Sequence, residues 1–520
     1  VFDLLFRNGL VVDGSGTPGV RADVGVTGDR VAAVGDLAGA TAREVLDCTG
    51  LVVSPGFVDA HVHGDLPLLT DGAFEAGIRQ GVTTLIVGQD GVAFAPGTPD
   101  VLDFMHDTTA GFNGRVPPGT FTWHDVGGYL RRLDGASAVN AAVLVPNGNV
   151  RMTAMGLADR RATPAELATM RRIVRENMEQ GAVGLSSGLD YVPSLYADED
   201  ELSALCEEIA PFGGVYVTHM RGYSPTRFDL GMTEALNVGR RAKCAVHISH
   251  FNVLAAQGIA AVDAALAEGL DVTFDLYPYL YGSTTLAMLT LPVALCAGGV
   301  DATLARLEDP GVRRALDAEF AAPRFPLETI RFTNLPDPEW RQFEGRLLTD
   351  AATETGLAPA EFVRQALIAT RLQAGCIVRH FAERQDSDTR ALMNHPAMTA
   401  GSDGIYCGGN PHPRGTGTFA EYVGEHVRAG TWPLETAVRR CAYAPARRHG
   451  LKDRGLLAPG MAADAIAFDP LTFAAKLTYE TGRSLAAGVA HVAVNGTLVL
   501  HHGRRTPARP GRGLKRSGSR

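Results

Sequence analysis

The sequence predicts an α/β protein: a (β/α)8 TIM-like barrel, a small β-sandwich domain built from both chain ends, and an insertion between barrel strands seven and eight. Three observations predict it. Through the middle of the chain, apolar segments of five to eight residues alternate with amphipathic ones, the pattern of parallel βα units. Eight such apolar segments can be counted, and five of them run into a histidine or an aspartate. The two ends of the chain follow another style, with short alternating segments punctuated by Gly and Asp.

The first fifty residues contain "DLLFRNGLVVDG" and "ADVGVTGDRVAAVGD", which read as antiparallel strands and tight turns without a helical period. The far end repeats this in "ADAIAFD" and "VAHVAVNGTLVLHHG", where Asn495-Gly496 is a hairpin turn. Neither piece alone has enough strands for a stable sheet. Residues 1–51 and 453–505 are therefore assigned to one small β domain, and 52–452 to the barrel.

The barrel strands are expected, in order, in "VVSPGFVDA", "VTTLIV", "AAVLV", "AVGLSS", "GVYVTH", "CAVHISH", "DVTFDLY" and "AMTAGSD". The clearest helix is "TPAELATMRRIVRENMEQ": Thr163 and Glu166 form a capping box, Pro164 takes the first helical position, and Leu167, Met170, Val174 and Met178 share one face. The alternation lapses after Ser283. Residues 284–394 are Pro-rich, with one evident helix in "APAEFVRQALIAT", and are read as an insertion or lid over the strand ends. The basic, Gly/Pro/Ser-rich segment 506–520 is expected to be a disordered tail.

Composition narrows the function. The 520 residues are 45% hydrophobic and 20% charged, with a formal net charge of −9, which argues against nucleic-acid binding. No apolar run approaches the length of a spanning helix, and the N-terminus lacks a basic-then-apolar signal, so no membrane partner is expected. Seven scattered cysteines without a C-x-x-C pair exclude a disulfide framework and favour a reducing, cytoplasmic setting.

In a barrel of this kind, chemistry gathers at the C-terminal ends of the strands. Strand one runs into His61 and His63, strand two into Asp90, strand five into His219, strand six into His250, and strand eight into Asp403. His61 and His63 are two apart on a strand, so both imidazoles project to one side and suit a single metal ion. His219 and His250 are placed to hold a second ion in the same mouth. His247, three residues before His250, falls on the opposite face and reads as structural. Asp403 is expected to join the metal ligands, supplying charge compensation, and to act as a base that takes a proton from a metal-activated water as it attacks a carbonyl, then passes it to the leaving amine. Asp90, in "VGQDG", carries two readings. Asp-Gly is a strong turn signal, yet its position at the end of strand two puts its carboxylate among the metal-binding histidines.

The segments "SPGFVDAHVHGD", "GVTTLIVGQDGVAFAP", "GLSSGLDYVPSLYA", "THMRGYS", "ISHFN", "DLYPYLYGST", "HPAMTAGSDG" and "HPRGTGTFAEY" occur in that order. Together they resemble the amidohydrolase superfamily, specifically its D-aminoacylase (N-acyl-D-amino-acid deacylase) group, over nearly the whole chain. The resemblance implies a distorted TIM barrel with a β-sandwich, one or two Zn2+ ions at the mouth, and hydrolysis of the N-acyl bond of an N-acyl-D-amino acid or related small amide. It places His61 and His63 on one metal, His219 and His250 on the other, and Asp403 as the catalytic aspartate.

Three positions depart from the family pattern. Asp90 stands where many members carry a bridging cysteine, Asn252 replaces a lysine in "SHxK", and Asn147 replaces the histidine of "GHG". Metal chemistry should survive these changes, whereas recognition of an acidic substrate tail is put in question. Tyr191, Arg221, Asn252, Tyr281, Ser283, Arg379 and Arg414 are the candidate substrate contacts. Two alternatives are carried. A cyclic amidase of the hydantoinase or dihydroorotase kind usually needs a carboxylated lysine, and no strand-end lysine is present. A non-catalytic barrel module has no evident use for a complete ligand set. The sequence leaves the oligomeric state unknown.

Overall fold

The structure, a computed structural model, describes residues 1–323, 325–475, 478–480 and 482–518. Eight parallel strands form the barrel: β1 (Phe57–Asp59), β2 (Val82–Val87), β3 (Asn140–Pro146), β4 (Gly184–Gly188), β5 (Val215–His219), β6 (Ala245–Ile248), β7 (Val272–Leu276) and β8 (Met398–Ala400), hydrogen-bonded in that order. The ring is drawn together where β8 returns to β1: Ala60 N donates to Ala400 O at 3.1 Å, and Val62 bridges Gly404 in parallel. All six residues of β2 and all seven of β3 are buried, as strands covered on both faces must be.

Helices follow the strands and shield the barrel. Pro164–Glu179 has the expected capping box between Thr163 and Glu166, with Met170, Val174 and Met178 buried. Glu199–Ile209, Phe228–Ala242 and Ala255–Ala267 cover the strands that follow.

The chain ends meet in one nine-stranded sheet. Phe2–Val11, Val20–Thr27, Arg30–Gly35 and Ala42–Asp47 join Ala465–Phe468, Val489–Val494, Thr497–His501 and Arg504–Arg505 through Val52–Pro55. Val52–Pro55 was expected to open the first barrel strand; instead it pairs antiparallel with Ala465–Phe468. The change of sheet occurs at Gly56, where a Cβ would lie 2.2 Å from Thr83 Oγ1, so only glycine lets the backbone pass. Alternation along Ala465–Phe468 divides the cores. Ala465 and Ala467 face Phe6, Val24 and Val26, while Ile466 and Phe468 join the large core shared with the barrel.

Two segments depart from the sequence reading. The basic tail is not disordered where it is described. Gly513–Leu514 adds to the edge of β3, Arg512 Nη1 meets Asp29 Oδ2 at 2.6 Å, and Arg516 Nε donates to Phe212 O at 2.8 Å. A low-hydrophobicity segment gains order here because ready-made backbone acceptors and a sheet edge offset its ordering entropy. The stretch after β7 contains more structure than one helix. Tyr281–Thr285, Gly375–Arg379 and Arg331–Asn334 form a three-stranded antiparallel sheet with several helices, around a separate core that includes Leu286, Phe332 and Phe362. All seven cysteines are free thiols. Among the described residues, no helix is long and apolar enough to cross a membrane.

Candidate metal centre

The C-terminal ends of β1, β2, β5, β6 and β8 converge on one buried cluster. Asp90 stands at its middle. Its Oδ1 lies 3.7 Å from His61 Nε2 and 3.9 Å from His250 Nε2, and its Oδ2 lies 3.6 Å from His63 Nε2 and 3.9 Å from His219 Nδ1. Asp403 Oδ1 closes the group at 3.2 Å from His63 Nε2 and 3.6 Å from His61 Nε2. Three overlapping triads have donor atoms close enough to share an ion: His61, His63 and Asp90; Asp90, His219 and His250; and His61, His250 and Asp403.

The backbone that aims these groups is held in an uncommon conformation. Asp90, His250 and Asp403 have positive φ of 56°, 32° and 49°. Non-glycine residues adopt this region at a cost of about 1–3 kcal/mol each, and the surroundings must enforce it. They do so with named bonds. Asp403 N donates to His61 O at 2.7 Å, His250 N to Asp275 Oδ1 at 2.8 Å, and Gly91 N to Ser186 Oγ at 3.2 Å. Gln89–Gly91 is indeed a turn, and it follows Gly88 (φ 84°), whose Cβ would meet Leu144 O at 2.5 Å. The tight turn and the inward carboxylate are therefore one device.

The donor set fits a borderline divalent ion. Bond lengths of about 2.0–2.1 Å put tetrahedral ligand atoms about 3.4 Å apart, close to the separations found here. His61 Nε2 and Asp90 Oδ1 are both buried without a hydrogen-bond partner among the described residues, which is costly unless a further group binds them. Four imidazoles with two carboxylates suit zinc and its neighbours in the transition series.

Electrostatics divide the histidines. Burial works against a charge on His61, but Asp275, Asp90 and Asp403 outweigh it and push its pKa up to about 10. Burial and the nearby His219 push His250 down to about 4. Burial opposes the charge of Asp403 as well, yet Arg414 and the surrounding histidines hold its carboxyl well below the usual range. Arg414 Nη1 lies 2.8 Å from Asp403 Oδ2, and its guanidinium sits 4.7 Å from the centre of the Tyr277 ring.

The candidate substrate contacts separate in space. Tyr191 Oη is 3.1 Å from His219 Nδ1, at the cluster itself. Arg414 lies at the cluster through Asp403. Arg221 is occupied elsewhere: it pairs with Glu234 at 3.0 Å and donates to Leu195 O and Ala197 O, pinning that loop. Arg379 donates to Ala382 O and Arg384 O within its own turn. The Tyr281 ring packs 4.5 Å from that of Tyr479, and the Ser283 carbonyl accepts from Arg414 Nη2 at 3.1 Å. Asn252 is buried two residues beyond His250, with neither amide atom hydrogen-bonded among the described residues. Asn147 accepts from Ser194 Oγ against the Gly91 turn rather than joining the donor set.

Sequence reasoning missed several supporting groups. Asp275, fully buried on β7, reaches His61 Nδ1 at 3.4 Å and His247 Nε2 at 3.0 Å. Asp190 Oδ2 lies 3.4 Å from His219 Nε2, and the Phe112 ring stacks on His63 at 5.4 Å. The rule that strand ends carry function could have found Asp275 in "TFDLY"; nothing local marks Phe112. Asp190 and Tyr191 also border an open cavity walled by Phe104, Met288, Val293 and Val300, with no lysine or arginine in its lining among the described residues.

Known proteins share this arrangement of chain and fold. The model of the Amidohydrolase family matches residues 44–500. D-aminoacylase of Alcaligenes xylosoxydans xylosoxydans is 36% identical over 99% of this chain and 98% of its own. A solved D-aminoacylase structure, described for its binuclear metal centre, superposes with a TM-score of 0.82 at 33% identity, covering 99% of this chain and 100% of that one. N-acyl-D-glutamate deacylase from Bordetella bronchiseptica, complexed with zinc and a phosphonate inhibitor, superposes with a TM-score of 0.82 at 31% identity, covering 99% of each chain.

Proposed function

Because the chain belongs to the amidohydrolase family, and is similar to deacylases along its whole length, we propose that it hydrolyses the N-acyl bond of an N-acyl-D-amino acid with an apolar side chain or acyl group. The observation that carries the reading is Asp90 set among four imidazoles, with Asp403 beside them. His61, His63, His219, His250 and Asp90 would hold one or two zinc ions. A divalent ion bound there supplies a Lewis acid for the amide carbonyl and a water of lowered pKa.

The chain's own residues do the rest. Asp403, kept ionised by Arg414, accepts a proton from the attacking water and returns it to the leaving nitrogen. Tyr191, whose hydroxyl is held protonated by burial, donates a hydrogen bond to the acyl oxygen as charge develops on it. Arg414 meets the substrate carboxylate, since a guanidinium can serve two carboxylates at once. The largely apolar cavity beside Tyr191, which Asp190 also lines, takes the apolar substituent. A ring-opening cyclic amidase is disfavoured, because the metal-facing position on β2 is an aspartate and no lysine ends a barrel strand. The reading keeps a small amide as the partner and a reducing compartment as the setting, in line with seven free thiols.

The test is a panel of N-acyl amino acids of both configurations, apolar and acidic, assayed for released carboxylate with zinc-loaded protein. Turnover should be confined to D substrates and favour apolar side chains by about tenfold or more in kcat/KM. No hydrolysis of any member, with zinc measured at one or more equivalents, would sink the reading.

A further inference from the structure

Three histidines gather outside the barrel, in the sheet built from the chain ends. His491 lies on Val489–Val494, His501 ends Thr497–His501, and His502 follows in the turn. Val492 pairs with Leu500, and the antiparallel register then sets His491 opposite His501. His502 takes a positive φ of 48°, which folds its ring back over the other two. Ring centres are 5.3 Å apart for His491 and His501, 4.6 Å for His491 and His502, and 4.3 Å for His501 and His502. One nitrogen from each lies within 4.8 Å of the others.

We propose that His491, His501 and His502 bind a borderline divalent cation, zinc or copper, at a site separate from the barrel mouth. Imidazole nitrogen is the donor such ions prefer among neutral side chains, and three of them with an open position make a complete facial set. Packing alone gives three polar rings little reason to cluster, since a charge on any one is opposed by its neighbours. His491 is almost wholly buried, which anchors one donor, while His502 is exposed and His501 half-exposed, which leaves an entry path.

One carboxylate faces the site. Glu44, on the Ala42–Asp47 strand, brings Oε1 to 3.2 Å from His501 Nε2, where it can orient that ring or complete the coordination. Arg504 stands opposite His501 in the strand register, whereas two other arginines nearby are directed elsewhere. Arg79 pairs with Glu75 at 2.7 Å and donates to Gly503 O, and Arg505 Nε faces Glu75 at 3.9 Å. The turn is already braced, because Gly503 N donates to Ala490 O at 2.8 Å and His502 N to His491 Nδ1 at 3.4 Å. The donor nitrogens, within 4.8 Å of one another, would close to the ligand spacing of about 3.4 Å that zinc bond lengths require. A bound ion would tie the 501–503 turn to two strands of this sheet and so raise its stability.

The test compares the full-length protein with a His501→Ala/His502→Asn variant, Asn being chosen because it tolerates the left-handed backbone at 502. Both proteins are stripped with chelator, reloaded with zinc and analysed for metal. The wild type should retain one more equivalent than the variant, and added zinc should raise its Tm by more than it raises the variant's. Copper(II) should give the wild type a further imidazole-nitrogen EPR signal, beyond the barrel-mouth signal that the two proteins share. Amide hydrolysis should be the same in both, which also reports that the variant is folded; if it is not, His501→Gln takes its place with the same expected loss of metal. Equal zinc stoichiometry and equal Tm shifts in the two proteins would overturn the proposal.

Discussion

Asp275 Oδ2 lies 3.4 Å from Nδ1 of His61, on the side of the ring away from Asp90 and Asp403. The same oxygen meets His247 Nε2 at 3.0 Å, and the other accepts the amide of His250 at 2.8 Å. One buried carboxylate thus fixes the tautomer of one candidate ligand and the strained backbone of another. Such partners typically change metal affinity ten- to a hundredfold. Asp275→Asn should therefore weaken zinc binding by about that factor, measured by competition with a chromogenic chelator. Excess zinc should restore much of the lost turnover. Unchanged zinc affinity would show that the carboxylate is only a structural anchor for β6.

Arg414 against Asp403 makes a prediction about pH. The guanidinium, with the neighbouring histidines, holds the Asp403 carboxyl well below its ordinary pKa against the opposing effect of burial. A base works when deprotonated, so a depressed pKa extends activity to lower pH. Removing the cation leaves burial dominant, and the pKa rises. Arg414→Gln should shift the acidic limb of the kcat profile to higher pH, while KM for a substrate carboxylate rises as well. An unmoved acidic limb would mean that Asp403 is not the titrating base.

Asp90 can be tested by the number of bound ions. Both of its oxygens face imidazoles, so Asp90→Ala removes a ligand shared by two triads. The variant should bind less zinc and lose at least about a hundredfold in kcat, as expected for a residue that builds the centre. Asp90→Cys should retain metal, because a thiolate is a softer and tighter zinc ligand. Full metal content and normal turnover in Asp90→Ala would reduce this residue to the turn that its sequence first suggests.

The parts of this site that were legible in the sequence are those governed by period and position. His61 and His63 share a face because side chains on a strand alternate, and His219, His250 and Asp403 are legible because parallel barrels expose their strand ends. Arg221 shows the converse. An arginine beside a candidate ligand looks like a substrate contact, and only the fold reveals that Glu234, thirteen residues on in a helix, takes its charge. Phe112 and the order of the basic tail depend on contacts between distant segments, on which local pattern is silent. Val52–Pro55 shows the same limit at the level of sheets. An apolar run declares a strand, but the choice of partner rests on Gly56 and on the far end of the chain.

Asp59 supplies a prediction about stability. It is buried at the end of β1, where it accepts from Ser402 Oγ at 2.5 Å, Ser402 N at 2.8 Å and His61 N at 3.3 Å. Burial overrides these bonds and pushes its pKa up to about 7, from an ordinary value of 3.8. In the folded protein the carboxyl therefore keeps its proton over a range in which the unfolded chain has lost it. That preference adds stability below about pH 4, and the contribution is lost progressively as pH rises to about 7, a span worth about 4 kcal/mol. Asn cannot ionise, so Asp59→Asn lacks this slope. Urea unfolding of chelator-treated wild type and variant between those limits should give stability curves that diverge at low pH in the wild type's favour and run parallel above pH 7. Curves parallel over the whole range would mean that the bonds from Ser402 and His61 outweigh burial and keep Asp59 ionised.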